Sequence, residues 1–152
     1  YNGMEAGDTT ESGAPALFER LPIFWPIAQR RPEFPRFYKQ MMALRRSSKA
    51  LRRGQVEWLA NSDQSRVLTF IRRAAGEEVL VTINLSSRPF TGSVEISKAG
   101  RFVDLTPDID PPLPPDAPAP ERAARRREVN LPSLTLNAWG YRIFRRQSFG
   151  VR

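Results

Sequence analysis

The chain contains no cysteine and no histidine. The first absence removes disulfides, thiolate zinc sites and a cysteine nucleophile together, while leaving the cellular compartment open. The second removes both the commonest general base and the commonest metal ligand. Any bond-cleaving chemistry here has to run on carboxylates. No apolar run approaches the roughly 20 residues a membrane helix needs, so no membrane partner is expected. Neither glycine-rich phosphate-binding pattern is present, and there is no G-x-S-x-G nucleophile elbow. No cofactor and no metal site are therefore expected. The first residue is Tyr1 rather than Met, no secretory leader precedes the first turn signals, and the chain is read as a piece of a longer one.

What is present is a chain of 152 residues, enough for one domain, or one domain with an appendage, to bury a full core. Its net charge is +8 and its pI about 10.9. A basic balance can mean nucleic acid, but the arginines are scattered rather than gathered in one run. They read as a solvated surface, and nucleic acid is an unlikely partner.

The stretch Arg66–Ser86 carries the strongest structural signal. Arg-Val-Leu-Thr-Phe-Ile-Arg-Arg and Val-Leu-Val-Thr-Ile-Asn-Leu-Ser flank Ala-Ala-Gly-Glu-Glu. β-branched and aromatic residues dominate both halves, and Gly76 supplies the left-handed conformation a tight turn needs. Neither half is cleanly polar on one face, as expected of strands in the middle of a sheet. Further strands are read at Gln55–Leu59, Phe90–Ile96, Arg101–Leu105, Glu128–Leu131, Leu134–Asn137 and Trp139–Arg145.

Before these lie a loop at Tyr1–Glu11, an apolar strip from Leu17 to Trp25 broken by Pro22, and a helix from Pro35 to Arg46. In that helix Phe37, Met41 and Leu44 fall at helical spacing and read as a core-facing stripe. A last turn over Lys49–Arg53 ends at Gly54, which reads as its C-terminal cap. Seven of the 14 prolines fall between Pro107 and Pro120, marking residues 106–127 as an extended insertion. The reading is mainly β: an antiparallel β-sandwich over residues 55–152, preceded over residues 1–54 by a loop-rich segment and one or two helices.

Glycoside cleavage needs two carboxylates about 5 to 10 Å apart. Glu5, Asp8, Glu11 and Glu19 are the candidates, and turn or capping roles compete with catalysis at each. Trp25, Trp58 and Trp139 could stack on sugar faces in a stand-alone carbohydrate-binding module. Trp58 and Trp139, however, fall inside strand patterns and read as core.

Several segments resemble glycoside hydrolase family 13, the α-amylase-type enzymes. Tyr1-Asn2-Gly3-Met4-Glu5-Ala6-Gly7-Asp8 resembles the stretch after that family's eighth barrel strand. Phe37-Tyr38-Lys39-Gln40-Met41-Met42-Ala43-Leu44-Arg45 and Ala50-Leu51-Arg52-Arg53-Gly54 resemble its last barrel helix and the end of that helix. The hairpin strands and the ending Trp139-Gly140-Tyr141-Arg142-Ile143-Phe144 resemble its antiparallel C-terminal domain. Residues 97–127 depart from the family pattern.

The resemblance implies a non-catalytic C-terminal part of a hydrolase or transglycosylase acting on α-glucosidic bonds. Residues 1–54 would be the end of the (β/α)8 barrel and residues 55–152 the β-domain that stabilises it. The family's catalytic carboxylates lie on earlier strands, so no catalytic residue carries over. Glu5 and Asp8 match the barrel-rim loop and are the candidates for a substrate contact. The expected partners are the catalytic barrel, an α-glucan or oligosaccharide through the parent enzyme, and a second copy through the apolar strip at Leu17–Trp25.

Overall fold

The computed structural model describes residues 3–8, 22–107 and 128–147. Most of the expected insertion at 106–127, from residue 108 on, and most of the apolar strip at Leu17–Trp25 lie outside the described residues. The chain divides into two compact units, Tyr1–Ala43 and Leu44–Arg152, with the boundary inside a helix.

In the first unit, a single 3-10 turn at Met4–Ala6 is followed by two helices, α1 (Ile27–Arg30) and the first part of α2 (Glu33–Ser47). Helix α2 begins two residues before Pro35. The proline is tolerated in the first turn because the N–H groups there have no intrahelical partner. The apolar stripe on α2 does not behave as expected. Phe37, Met41 and Leu44 are half-buried, Met42 is exposed, and no residue of the helix is buried. The helical period is real, but the described residues cover the stripe only in part.

The second unit is a two-layer antiparallel sandwich. Helix α3 (Lys49–Arg53) leads into β1 (Gln55–Trp58), β2 (Val67–Ala74), β3 (Glu77–Asn84), β4 (Phe90–Ser93), β5 (Gly100–Asp104), β6 (Glu128–Leu131), β7 (Ser133–Leu136) and β8 (Tyr141–Gln147). One sheet has six strands in the order β1-β2-β3-β8-β5-β6; the other pairs β4 with β7. The expected central hairpin forms, with Ile71 opposite Leu80 and Val67 opposite Asn84, and β8 flanks β3 on its other side with Phe144 opposite Leu80.

Alternation sorts the side chains. Val67, Ile71, Leu80, Phe102 and Phe144 from the large sheet meet Phe90, Leu134 and Leu136 from the small one, and Val94 just after β4, in a single buried cluster. Each such buried large side chain contributes about 1.5–3 kcal/mol. The residues in between, Val79, Val81 and Ile143, lie on the outer face of the large sheet and are buried too. The mixed apolar pattern of β3 reflects this covering on both sides.

The hairpin turn is Ala75-Gly76, with φ of 51° and 75°. Two successive left-handed residues match the right-handed twist of the flanking strands. Glycine adopts this conformation freely; alanine does so at a steric cost.

Helix α3 packs against β2 and β3, fixed by the first residue of β3. Glu77 Oε2 accepts the Ser48 hydroxyl at 3.0 Å and the Ala50 N–H at 2.9 Å, while Ser48 Oγ accepts the Leu51 N–H at 3.0 Å. A strand carboxylate thus does the work of a capping residue, and its charge suits the positive end of the helix. At the other end Gly54 donates its N–H to Ala50 O at 2.8 Å with φ −66°. It is a cap, but not a left-handed one. Glycine is needed because a Cβ would stand 2.5 Å from Ala50 O and 2.9 Å from Arg73 O. Arg72 completes the contact by donating Nη2–H to Gly54 O at 2.6 Å.

Two expected strand positions are corrected. Trp139 lies in the turn before β8, at φ 54°, and 68% of it is exposed. Trp58 is on β1 as read, but 64% exposed, because β1 is an edge strand and Trp58 faces outward beside Phe70. Neither is core.

A pair of substitutions separates the turn from the helix clamp in one melting experiment. Glu77→Ala leaves Ser48 Oγ and the Ala50 N–H without their acceptor and lowers stability by about 1–2 kcal/mol. Ala75→Asn creates the Asn-Gly turn preferred for this hairpin and raises stability by about 0.5–1 kcal/mol. Denaturant midpoints that move in the opposite directions would contradict both assignments.

Candidate functional site

Carboxylates are the reactive groups the sequence left available, so their placement decides what the chain can do. Glu5 Oε2 accepts the Gly3 N–H at 3.1 Å, and Asp8 Oδ2 accepts the Phe24 N–H at 3.1 Å. Both acids therefore close the loop around Gly3 and Gly7, whose φ of 90° and 71° place them in the left-handed region. Glu11 and Glu19 lie outside the described residues.

In the second unit several of the described acids are bound to arginines or hydroxyls. Asp63 pairs with Arg66 and accepts the Ser65 hydroxyl at 2.6 Å. Asp104 pairs with Arg142 and accepts the Thr106 N–H at 2.8 Å. Glu128 meets Arg101 at 3.2 Å.

The densest group sits at one end of the inner sheet face. Glu78 accepts Arg73 Nε at 2.9 Å and Arg146 Nη2 at 2.6 Å; Arg73 also reaches Glu57, and the Arg146 guanidinium lies 4.5 Å over the Phe102 ring. These residues meet because Arg73, Glu78 and Arg146 occupy opposed positions on three neighbouring strands. Burial alone would raise the Glu78 pKa, but the hydrogen bonds and charges of Arg73 and Arg146 outweigh it and hold the carboxyl below its usual value. The Ser65 hydroxyl, followed by Arg66, likewise lowers Asp63. Both shifts run away from the raised pKa that a glycosidic general acid requires. Glu57 and Glu78, which share Arg73, are separated by a cation and not by a site for a sugar. Among the described residues no three acidic side chains gather where a metal ion could sit.

The outer faces of the two sheets differ sharply. The small sheet presents hydroxyls: Thr91 opposite Thr135 and Ser93 opposite Ser133, all exposed. With Ser62 they line an open hollow of about 530 Å³. The large sheet presents Val56, Trp58, Leu68 and Val103, each exposed, with Trp58 edge-on to Phe70 at 5.4 Å between centroids. A polar face is ordinary for an antiparallel sheet in water. Val56, Trp58 and Leu68 lie together on β1 and β2, whereas Val103 stands between Arg145 and Glu128 on neighbouring strands; contiguous exposed apolar patches are uncommon on monomers. Sequence reasoning missed these exposed residues because the outward positions of β1, β2 and β5 carry the same residue types as a core.

Comparison with known proteins supports this architecture. No family model matches the chain. A cyclomaltodextrinase from Geobacillus thermopakistaniensis (strain MAS1) is 29% identical over 101 residues, covering 66% of this chain and 16% of that protein. The trehalulose synthase from Pseudomonas mesoacidophila MX-45 superposes with a TM-score of 0.56 at 21% identity, over 81% of this chain and 20% of that one. A trehalulose synthase variant, A258V, gives 0.55 at 20% identity over 82% of this chain. This chain is related to α-amylase-type enzymes. It corresponds to a fifth or less of the length of these relatives, and its mainly antiparallel fold is the one expected for their C-terminal β-domain.

The pKa of Glu78 sets a stability limb. Its carboxyl is lowered in the folded state from 4.5, so the stabilisation is fully present above pH 4.5 and is lost as pH falls through the folded value. Glu78→Gln should flatten that part of the stability–pH curve below pH 4.5, measured by urea midpoints, with little change in its shape near neutrality. An unchanged acid limb would show that the two arginines do not hold the charge.

Proposed function

We propose that this chain is the non-catalytic end of a hydrolase or transglycosylase acting on α-glucosidic bonds, and that it stabilises that enzyme by docking on its catalytic barrel. The observation that carries this reading is the asymmetry of the sandwich. One outer face is a field of hydroxyls, and the other exposes Val56, Trp58 and Leu68 side by side on β1 and β2. The half-covered stripe Phe37–Met41–Leu44 on α2 adds a second apolar surface that the described residues leave partly bare.

Burying the outer face would recover about 25 cal/mol for each Å² of apolar area removed from water. The acids support the non-catalytic part of the reading, since the described ones examined above act as caps, loop ties and ion-pair partners. A carbohydrate-metabolising parent is supported by the names of the relatives, a cyclomaltodextrinase and a trehalulose synthase.

The test compares the chain alone with the parent enzyme. The pure chain should release no reducing sugar from starch, maltooligosaccharides or sucrose. Val56→Asp combined with Trp58→Ser, placed in the parent, should lower the thermal midpoint of the catalytic domain while leaving the circular dichroism of the isolated chain unchanged. Sugar release by the chain alone, or a parent midpoint that does not move, would overturn the reading. A stable dimer of the isolated chain abolished by the same two substitutions would point to a second copy as the occupant of this face.

A further inference from the structure

Trp139 occupies a conformation that its side chain opposes. It is the third residue of the turn closed by Gly140 N–H to Asn137 O at 3.0 Å, at φ 54°. Turns with a left-handed third residue take glycine or asparagine there, and a bulky residue at positive φ is a genuine outlier. The indole gains little burial in return, being 68% exposed. Strain of this kind persists only where the surroundings over-determine it.

The surroundings here are specific. Asn84 is buried at the end of β3 and joins two loops: its Nδ2 donates to Arg88 O at 2.7 Å and to Asn137 O at 2.9 Å. Its Oδ1 accepts the Ser86 hydroxyl at 2.8 Å, and its N–H donates to Gly140 O at 2.8 Å. The Trp139 N–H in turn donates to Ser86 O at 2.9 Å. One buried amide therefore rigidifies both loops, and together they carry Trp139, Ser87, Arg88 and Asn137, all exposed.

That set has a recognisable chemistry. A hexose presents an apolar C–H face and a rim of hydroxyls. An exposed indole on a backbone held in this way offers the flat apolar surface, and the planar groups of arginine and asparagine offer donors and an acceptor for paired hydroxyls. Fixing the platform beforehand removes an ordering cost that binding would otherwise bear. The outer face of the large sheet differs, because its exposed apolar residues sit on the strand ladder rather than on two loops tied by a buried amide.

We infer that the loops 85–89 and 137–140 form an accessory glucan-binding site, in which Trp139 stacks on a glucose ring and Arg88 and Asn137 take its hydroxyls. The choice of an α-glucan rests on the function proposed above; the platform itself does not.

The experiment titrates maltoheptaose into the full chain and follows its indole and amide N–H signals by NMR. The Trp139 indole and the amides of Ser86–Arg88 should shift together, while the Trp58 indole stays in place. Arg88→Ala, outside the strained turn, should weaken binding several-fold. Trp139→Asn should lower affinity at least about tenfold and at the same time raise the thermal midpoint, because asparagine suits the left-handed position. A tryptophan needed only for structure would instead lose stability on this change. No shift with maltoheptaose, or equal shifts with cellooligosaccharide, would overturn the inference. Either result leaves the docking test in the parent enzyme unaffected, so the two proposals fail separately.

Discussion

The register of β3 is the constraint on which the rest of the second unit depends. In a strand the faces alternate residue by residue, so a slip by one position exchanges every inward and outward side chain. Here the alternation places Leu80 in the core and Val79 and Val81 on the outer face. It also sets the polar anchors. Glu77 points outward and clamps α3; Glu78 points inward to Arg73 and Arg146; Asn84, also inward, ties the loops at the far end. A slipped pairing would turn Glu77 to the core side without its helix and take Leu80 out of the core cluster. The Ala75-Gly76 turn fixes the pairing from one end, and β8 reads the same register from the other side.

Much of this was legible in the residues. The hairpin stood out because two β-branched runs flank a glycine, and both strands proved central, as their mixed apolar pattern implied. The resemblance to α-amylase-type enzymes, carried by short motifs in order along the chain, agrees with the relatives found. Helix α2 was legible in its period but not in its burial: Phe37, Met41 and Leu44 keep helical spacing whether or not anything covers them. Periodicity reports which residues share a face, and says nothing about what lies against that face.

The tryptophans show the same limit. Trp58 sits among strand residues, and an aromatic there is core in most sheets. Its exposure follows from β1 being an edge strand, a property of strand order and not of local sequence. Trp139 precedes Gly140, and Asn137 stands two positions before it, so a turn signal was present; the strand-like run that follows masked it. For Glu5 and Asp8, sequence could place both acids on one loop. Their backbone partners, Gly3 and Phe24, emerged only with the fold, because Phe24 lies 16 positions from Asp8.

The two exposed tryptophans of the sandwich call for different explanations. Trp58 lies in relaxed strand conformation, braced edge-on by Phe70 and flanked by Val56 and Leu68. Nothing about its backbone is costly, and a broad apolar partner surface accounts for it together with its neighbours. Such a surface does not account for Trp139. Its backbone is strained, its loop is held by a buried amide, and Ser87, Arg88 and Asn137 are exposed on the same two loops. Docking alone would be served as well by a large side chain in an ordinary strand, without the left-handed residue. A strained aromatic maintained by a dedicated hydrogen-bond hub is what a fixed contact with a small, amphipathic ring requires.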